Sequence, residues 1–250
     1  MSKKKFPEDI NVQDREKRGY RSFYQIVCKR LVDICVSLLA LIVLSPVFLV
    51  LAIAIVLNDK GPVFYKSKRI GRNFKEFNMY KFRSMKVNAP NILNEDGSTY
   101  NAKDDPRVTR VGRFLRESSL DELAQLVNVL KGDMSLIGPR AGDVESKDTY
   151  ADDEKSKTRV RPGISGLTQA YFRNGLGVRE KRLYDAWYAH NVTMWMDIKI
   201  IFRTIKTVFC RENLYTNNST CHQKKDIEVA QENAVEQEVT IGANVKNNKS

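Results

Sequence analysis

The apolar run from Leu31 to Leu57 constrains this chain more than any other stretch. Only Asp33, Ser37 and the pair Ser45-Pro46 interrupt it. A membrane helix needs about 20 such residues, so the run is long enough to enter a bilayer. Pro46 lies near its middle, where it removes a backbone donor and kinks or breaks the helix. Two paths remain: a kinked crossing, or a turn at Ser45-Pro46 that returns the chain to the leaflet it entered. Lys29 and Arg30 precede the run, and Lys60, Lys66, Lys68, Arg69 and Arg72 follow it. Positive charge marks cytosolic flanks, and here both ends carry it, so we prefer the re-entrant, helix-break-helix hairpin. The length argues against a helix of a soluble core.

The 250 residues carry a net charge of +12, which calls for an anionic partner: nucleic acid, lipid headgroups or a phosphorylated substrate. No helix-turn-helix or RNA-binding signature accompanies the charge, and nucleic acid leaves the apolar run unexplained, so no nucleic-acid partner is expected. Cys28, Cys35, Cys210 and Cys221 form no CxxC pair, and His190 and His222 are the only histidines. Neither a disulfide framework nor a zinc site follows, which suits a chain facing the cytosol.

Residues 1–21 form a basic, flexible arm whose composition is not that of a signal peptide. After the turn cluster Asn58-Asp59-Lys60-Gly61-Pro62, two short strands, Val63-Phe64-Tyr65 and Phe77 to Met85, flank Gly71-Arg72-Asn73 as a small β-hairpin. Alternation along the second strand places Lys81 and Arg83 on one face, where paired cations hold a phosphate or face solvent. Asn88 to Asp105 reads as a surface loop. Arg107, Arg110, Arg113 and Arg116 then recur every third residue, a cationic stripe facing lipid, phosphate or solvent.

Ser119 followed by Glu122 matches a capping box, and Leu123, Leu126, Val127 and Leu130 recur at helical spacing until Gly132. Asp121 and Glu122 thus occupy a helix's first turn, which suits ionised carboxylates acting as nucleophile or metal ligand, and equally suits helix stability. Gly138-Pro139-Arg140 and Arg161-Pro162-Gly163-Ile164-Ser165-Gly166 are two stiff turns, each offering a guanidinium to a diphosphate. Met194, Trp195, Ile198, Ile201, Phe202, Ile205, Val208 and Phe209 then follow helical spacing, with Asp197, Lys199, Arg203 and Lys206 opposite. Such a helix lies in a membrane interface or caps a soluble core; beside the upstream apolar run we favour the interface. Glu212 to Ser250 reads as a solvated polar tail.

Several stretches together resemble one family: Lys29-Arg30-Leu31-Val32-Asp33, Gly61-Pro62-Val63-Phe64-Tyr65, Tyr80-Lys81-Phe82-Arg83-Ser84-Met85, the Arg107–Arg116 segment, Ser119-Leu120-Asp121-Glu122-Leu123, Leu130 to Arg140, and Arg161 to Leu167. The resemblance is to the bacterial sugar transferases, the small monotopic polyprenyl-phosphate phosphoglycosyl transferases in their catalytic-domain-only form. It covers roughly residues 22–209 in the family's order.

This resemblance implies an α+β, predominantly helical fold. Residues 22–58 would be the membrane re-entrant helix, 59–210 a compact cytosolic catalytic domain with amphipathic interfacial helices, and 211–250 a disordered polar tail. It implies transfer of a sugar 1-phosphate from a UDP-sugar to undecaprenyl phosphate with release of UMP, at the cytosolic face of a bacterial inner membrane. The implied setting is the first membrane step of capsule, O-antigen, exopolysaccharide or glycoprotein glycan synthesis, with downstream glycosyltransferases as partners. Asp121 would be the nucleophile and form a phosphosugar-aspartyl intermediate. Glu122 would bind Mg²⁺. Arg116 and Arg140 would hold substrate phosphate, with Lys81 and Arg83 as further phosphate ligands, and Ser45-Pro46 would be the helix break. Two positions depart from the family: Ala124 stands where a proline is common, and Ala141 replaces the last proline of a Pro-Arg-Pro loop, which loosens the turn carrying Arg140. A catalytically silent membrane adaptor of a polysaccharide assembly is the competing expectation.

Overall fold

The structure, a computed structural model, describes residues 23–90, 105–172 and 175–210. The basic arm, most of the Asn88–Asp105 loop and the polar tail lie outside the described residues. Chain order begins with α1 (Lys29–Val43), α2 (Ser45–Asn58), β1 (Phe64–Ile70), β2 (Glu76–Phe82), α3 (Arg110–Ser118) and α4 (Leu126–Lys131). It continues with β3 (Ser135–Ile137), β4 (Gly142–Asp143), α5 (Asp152–Lys155), β5 (Gly163–Ser165), α6 (Leu167–Tyr171), α7 (Val178–His190) and α8 (Met194–Phe209). The described protein is mostly helical with little sheet, as the expected fold class requires.

The apolar run does break at the proline. α1, extended back to Tyr24, and α2 meet at Leu44 with a bend of 61°. Pro46 has no N–H to give the Ile42 carbonyl, and the Ser45 hydroxyl donates to that carbonyl instead, at 2.8 Å. No single helix among the described residues is long and apolar enough to cross a membrane, although the bent pair together reaches that length. α1 buries its polar residues, Asp33 and Ser37, and leaves Leu31, Val32, Leu38, Leu39 and Ile42 more than half exposed. The Asp33 carboxylate accepts the Leu136 amide of β3 at 2.9 Å, so the hairpin is tied to the body by its polar side.

α2 joins the core directly, since Leu51 and Ile55 pack with Phe82, Leu115 and Ala124. The small residue at Ala124 is only 1% exposed, so it fits a regular, close contact there. β1 and β2 form the expected hairpin, in register from Phe64 opposite Phe82 to Ile70 opposite Glu76, and β4 pairs on the far edge of β1. The outer edge of β2 is not left bare: buried Asn128 of α4 accepts the Tyr80 amide at 2.9 Å and donates to the Asn78 carbonyl at 2.7 Å. Its amide therefore stands in for a neighbouring strand.

β3 and β5 pair in parallel, Ser135 opposite Gly163 and Ile137 opposite Ser165. The second of the two expected stiff turns is thus partly a strand. Gly138 and Gly163 let the segments touch backbone to backbone, since a Cβ on Gly163 would stand 2.1 Å from the Gly138 nitrogen.

α8 turns a mixed side to the protein: Asp197, Thr204 and Thr207 lie there with Ile200, which is 0% exposed, while Lys199 and Lys206 are exposed. Asp197 accepts from Tyr24 at 2.7 Å, Lys29 at 2.5 Å and Tyr188 at 2.5 Å. Thr204 meets Ser165 at 2.6 Å, and Thr207 donates to the Ala170 carbonyl at 2.7 Å. Met194, Trp195, Ile201, Phe202 and Ile205 point outward, Phe202 being 69% exposed. A helix capping a soluble core buries its apolar side, whereas this one leaves five large apolar residues exposed, with Ile200 the one buried in the core.

Candidate active site

Three of the expected site residues reach one place through a single reversal of the chain. α3 begins at Thr109, whose hydroxyl accepts the Gly112 amide at 2.9 Å. Gly112 lies against the strand end: a Cβ there would stand 1.8 Å from the Ser84 carbonyl oxygen. One turn later that contact leaves Arg116 beside Ser84, whose hydroxyl accepts its Nε at 3.1 Å. α3 ends with Ser119 in the left-handed region, φ 59°. Leu120–Gln125 then runs as a tight 3-10 helix before α4 continues to Gly132.

The expected capping box does not form. Ser119 closes α3 instead of opening the next helix, and its side chain makes no cap bond there. Asp121 and Glu122 still occupy the first turn. Asp121 is 9% exposed and Glu122 is half-buried.

Burial pushes the Asp121 carboxyl up from the usual range to about 6, with Glu122 adding to the rise, while Lys81, Arg116 and Arg140 pull against it. The group therefore stays mostly ionised at neutral pH, yet holds its charge in a poorly solvated place. No hydrogen bond to its carboxylate is made by the described residues. Glu122, by contrast, accepts Lys81 Nζ at 2.8 Å.

Beside the pair lies a cleft lined by Arg69, Lys81, Glu122, Gln125, Arg140 and Gln169. Cations here outnumber carboxylates, so the cleft suits an anion with several oxygens. The arrangement offers a buried nucleophilic oxygen, flanking cations to neutralise phosphate, and a second carboxylate. Among the described residues no three His, Cys, Asp or Glu side chains cluster to hold a metal. Mg²⁺ rarely uses such a cage, taking one or two carboxylates together with substrate phosphates, and Glu122 beside Asp121 fits that donor set.

Three expected residues are placed elsewhere. Arg83 is 6% exposed and donates to the Asp59 carbonyl, its guanidinium 3.8 Å from the Asp59 carboxylate. β2 ends at Phe82, so the alternation that would pair Arg83 with Lys81 stops one residue short, and Asp59 at the end of α2 takes the guanidinium. Arg107 also leaves the expected stripe: it precedes α3 and is buried against Asp105, whose carboxyl it holds below the usual range. Arg161 does not join Arg140. The loop after β3 does lie against the Arg161 backbone, a Cβ on Gly138 standing 2.4 Å from the Arg161 carbonyl oxygen, but the Arg161 guanidinium turns away and donates to the Gly132 carbonyl at 2.8 Å.

Asp185 of α7 is the residue sequence reasoning missed. It is 1% exposed, and its carboxylate accepts the Arg140 amide at 3.1 Å and the Thr168 hydroxyl at 3.0 Å, with Lys157 Nζ at 3.2 Å. Its role is to fix the backbone that presents Arg140. A lone acid within Tyr184-Asp185-Ala186 carries no local signal, because its partners come from three distant segments.

The chain matches the family described as "Bacterial sugar transferase" over residues 24–211. It is 41% identical over 198 residues to the undecaprenyl-phosphate galactose phosphotransferase of Salmonella typhimurium, covering 75% of this chain and 41% of that one. Against the UDP-glucose:undecaprenyl-phosphate glucose-1-phosphate transferase of Klebsiella pneumoniae it is 42% identical over 198 residues, 76% of this chain and 42% of that one. The exopolysaccharide production protein ExoY of Sinorhizobium fredii is 36% identical over 200 residues, 76% of this chain and 88% of its own length. The chain thus spans about two fifths of the first two relatives and most of the third. On the breadth of the match the chain belongs to the bacterial sugar transferase family.

Proposed function

We propose that the chain transfers a sugar 1-phosphate from a UDP-sugar to undecaprenyl phosphate and releases UMP. The observation that carries this reading is Asp121: buried, raised to about 6, and set among Lys81, Arg116 and Arg140. The activities that name the Salmonella and Klebsiella relatives suggest the substrate classes. A carboxylate oxygen of Asp121 attacks the β-phosphorus, the bond to the bridging oxygen breaks, and UMP leaves with that oxygen. The acceptor's phosphate oxygen then attacks the same phosphorus and frees the carboxylate. Lys81, Arg116 and Arg140 neutralise the oxygens of two approaching anions, without which a carboxylate would be repelled. Glu122 would hold Mg²⁺, whose charge screens the diphosphate; Lys81 would then be free to turn to phosphate.

The outward apolar sides of α1, α2 and α8 support a monotopic seat in the cytosolic leaflet of the inner membrane. In this reading the helix pair re-enters at Ser45-Pro46 and α8 lies in the interface, so the cleft sits at the height of the acceptor's phosphate. The first membrane step of a capsule, O-antigen, exopolysaccharide or glycoprotein glycan is the matching role, with downstream glycosyltransferases acting on the product. The test uses the full chain in nanodiscs with undecaprenyl phosphate, Mg²⁺ and a panel of UDP-sugars, reading nucleotide release. UMP formed with one sugar and lost in Asp121→Asn is the expected result. UDP in place of UMP means an ordinary glycosyl transfer and overturns the mechanism, and no nucleotide with any donor favours the silent adaptor.

A further inference from the structure

The cleft beside Asp121 is lined by two kinds of polar side chain. Arg69, Lys81 and Arg140 bring charge to it, Arg69 being paired with Asp143. Gln125 and Gln169 bring neutral amides, for which the phosphoryl chemistry has no use. Gln125 is the last residue of the 3-10 helix Leu120–Gln125, three after Glu122, and is 3% exposed. Residues three apart eclipse on such a helix, so Gln125 stands on the same side as Glu122, about 6 Å further along the axis. Gln169 comes from α6, which follows β5. A Cβ on Gly166 would stand 2.6 Å from its Oε1, so that glycine keeps room for the amide.

The Gln169 amide is poorly satisfied where it lies. Its Oε1 is buried without a hydrogen-bond partner, and its Nε2 makes only a long contact with the Ile164 carbonyl, at 3.5 Å. A buried acceptor left unmade costs free energy, and this amide turns toward a ligand with little loss because it gives up one weak bond. An ionised phosphate cannot supply what the oxygen lacks, since it offers acceptors alone. An amide, with one acceptor oxygen and two N–H donors, matches a sugar hydroxyl, which both gives and takes a hydrogen bond. In a UDP-sugar the sugar is bonded directly to the phosphorus that Asp121 attacks. The uracil is separated from that phosphorus by a second phosphate and a ribose.

We propose that Gln125 and Gln169 bind hydroxyl groups of the donor's sugar and thereby select which UDP-sugar the chain accepts, an inference that rests on the reaction proposed above. The diphosphate lies against the cations while the sugar turns to the amides. Charge holds the donor, and neutral hydrogen bonds choose it. A hydroxyl that is missing, or that points the other way, leaves a buried amide unpaired, which is how a site built on hydrogen bonds rejects the wrong sugar.

The test titrates the full chain in detergent with Mg²⁺ by calorimetry, in an Asp121→Asn background so that binding is read without turnover. UDP-glucose, UDP-galactose and their N-acetylamino forms are the probes, and UDP, the same nucleotide without a sugar, is the reference. The expected result is one UDP-sugar bound better than UDP, weakened about tenfold by Gln169→Met and by Gln125→Met. Affinity for UDP stays within about twofold in both, which also shows that each variant is folded. Equal weakening of UDP and the UDP-sugar assigns the amides to the nucleotide and overturns the proposal. An unchanged UDP-sugar affinity in both variants overturns it as well. UMP release by the wild type, measured alongside, separates this inference from the reaction. Sugar-dependent losses without UMP leave the sugar site standing and remove the reaction; UMP without those losses does the reverse. Binding of no UDP-sugar overturns both.

Discussion

Asp121 and Asp185 are both buried aspartates beside the same loop, and they differ in what their oxygens touch. Asp185 spends its lone pairs on Lys157, Thr168 and the Arg140 amide. Asp121 is nearly as buried and accepts no hydrogen bond from the described residues, with its cations held at a distance. Burial raises both carboxyls. The lesson is that burial alone does not mark a reactive acid. An acid whose partners are all protein groups acts as a strut, and one without them has its oxygens open to a substrate, the role proposed for Asp121.

The largest effect expected from this contrast is on turnover. Asp121→Asn should cut UMP release by on the order of 10³-fold or more, because no oxygen nucleophile remains. The same change should raise the unfolding temperature at pH 8 by a few degrees. The carboxyl is raised from 3.8 to about 6, so keeping it charged costs about 3 kcal/mol, and asparagine removes that cost. A fall in thermal stability would break the comparison.

Asp185→Ala should do the opposite. It strands the buried Lys157 ammonium and should destabilise the fold by about 3–5 kcal/mol, read by denaturant unfolding. Arg140 then loses its backbone anchor, so substrate KM should rise in whatever folded protein remains.

The pH profile sharpens the contrast further. Turnover should fall about tenfold per unit below pH 6 as Asp121 takes up a proton. The folded value lies above that of an unfolded aspartate, so the folded state holds the proton more tightly. The penalty from this group is therefore full above pH 6 and fades as the pH drops toward 4, opposite in sign to the activity. Lys81→Gln removes an opposing charge and should move the acid limb to higher pH. A limb that stays in place would detach Lys81 from Asp121.

The smallest effect concerns Arg83. Because it is committed to Asp59, Arg83→Gln should leave the KM for UDP-sugar within about twofold while lowering stability by about 1–3 kcal/mol. A KM shift as large as that of Lys81→Gln would return it to the phosphate site.

What the sequence disclosed and what it withheld follow from the range of the forces involved. The break at Pro46, the hairpin around Gly71 and the stop at Gly132 were legible because each is written in a residue's own backbone chemistry. The outward apolar side of α8 was legible as a periodicity, although not that Asp197 would be the inward anchor for Tyr24, Lys29 and Tyr188. Ser119 misled because its hydroxyl suits a cap while the approach of α3 fixes its backbone. The parting of Arg140 from Arg161, the strand-like use of Asn128 and the strut at Asp185 all depend on pairings between distant segments, and no local pattern encodes them.

In the monotopic seat proposed above, the 61° elbow at Leu44 would also set how much lipid the protein displaces, and where. Each arm is about 22 Å long. With Lys29 and Lys60 on the same side, symmetrical arms slope at about 30° to the membrane plane, and the apex lies about 11 Å deep, short of the middle of a hydrocarbon core about 30 Å thick. So seated, the protein would be a wedge that widens one leaflet and leaves the other untouched. Such a wedge would do elastic work on its surroundings, less where that leaflet is already stretched, so local curvature would become a variable that sorts the chain along the membrane.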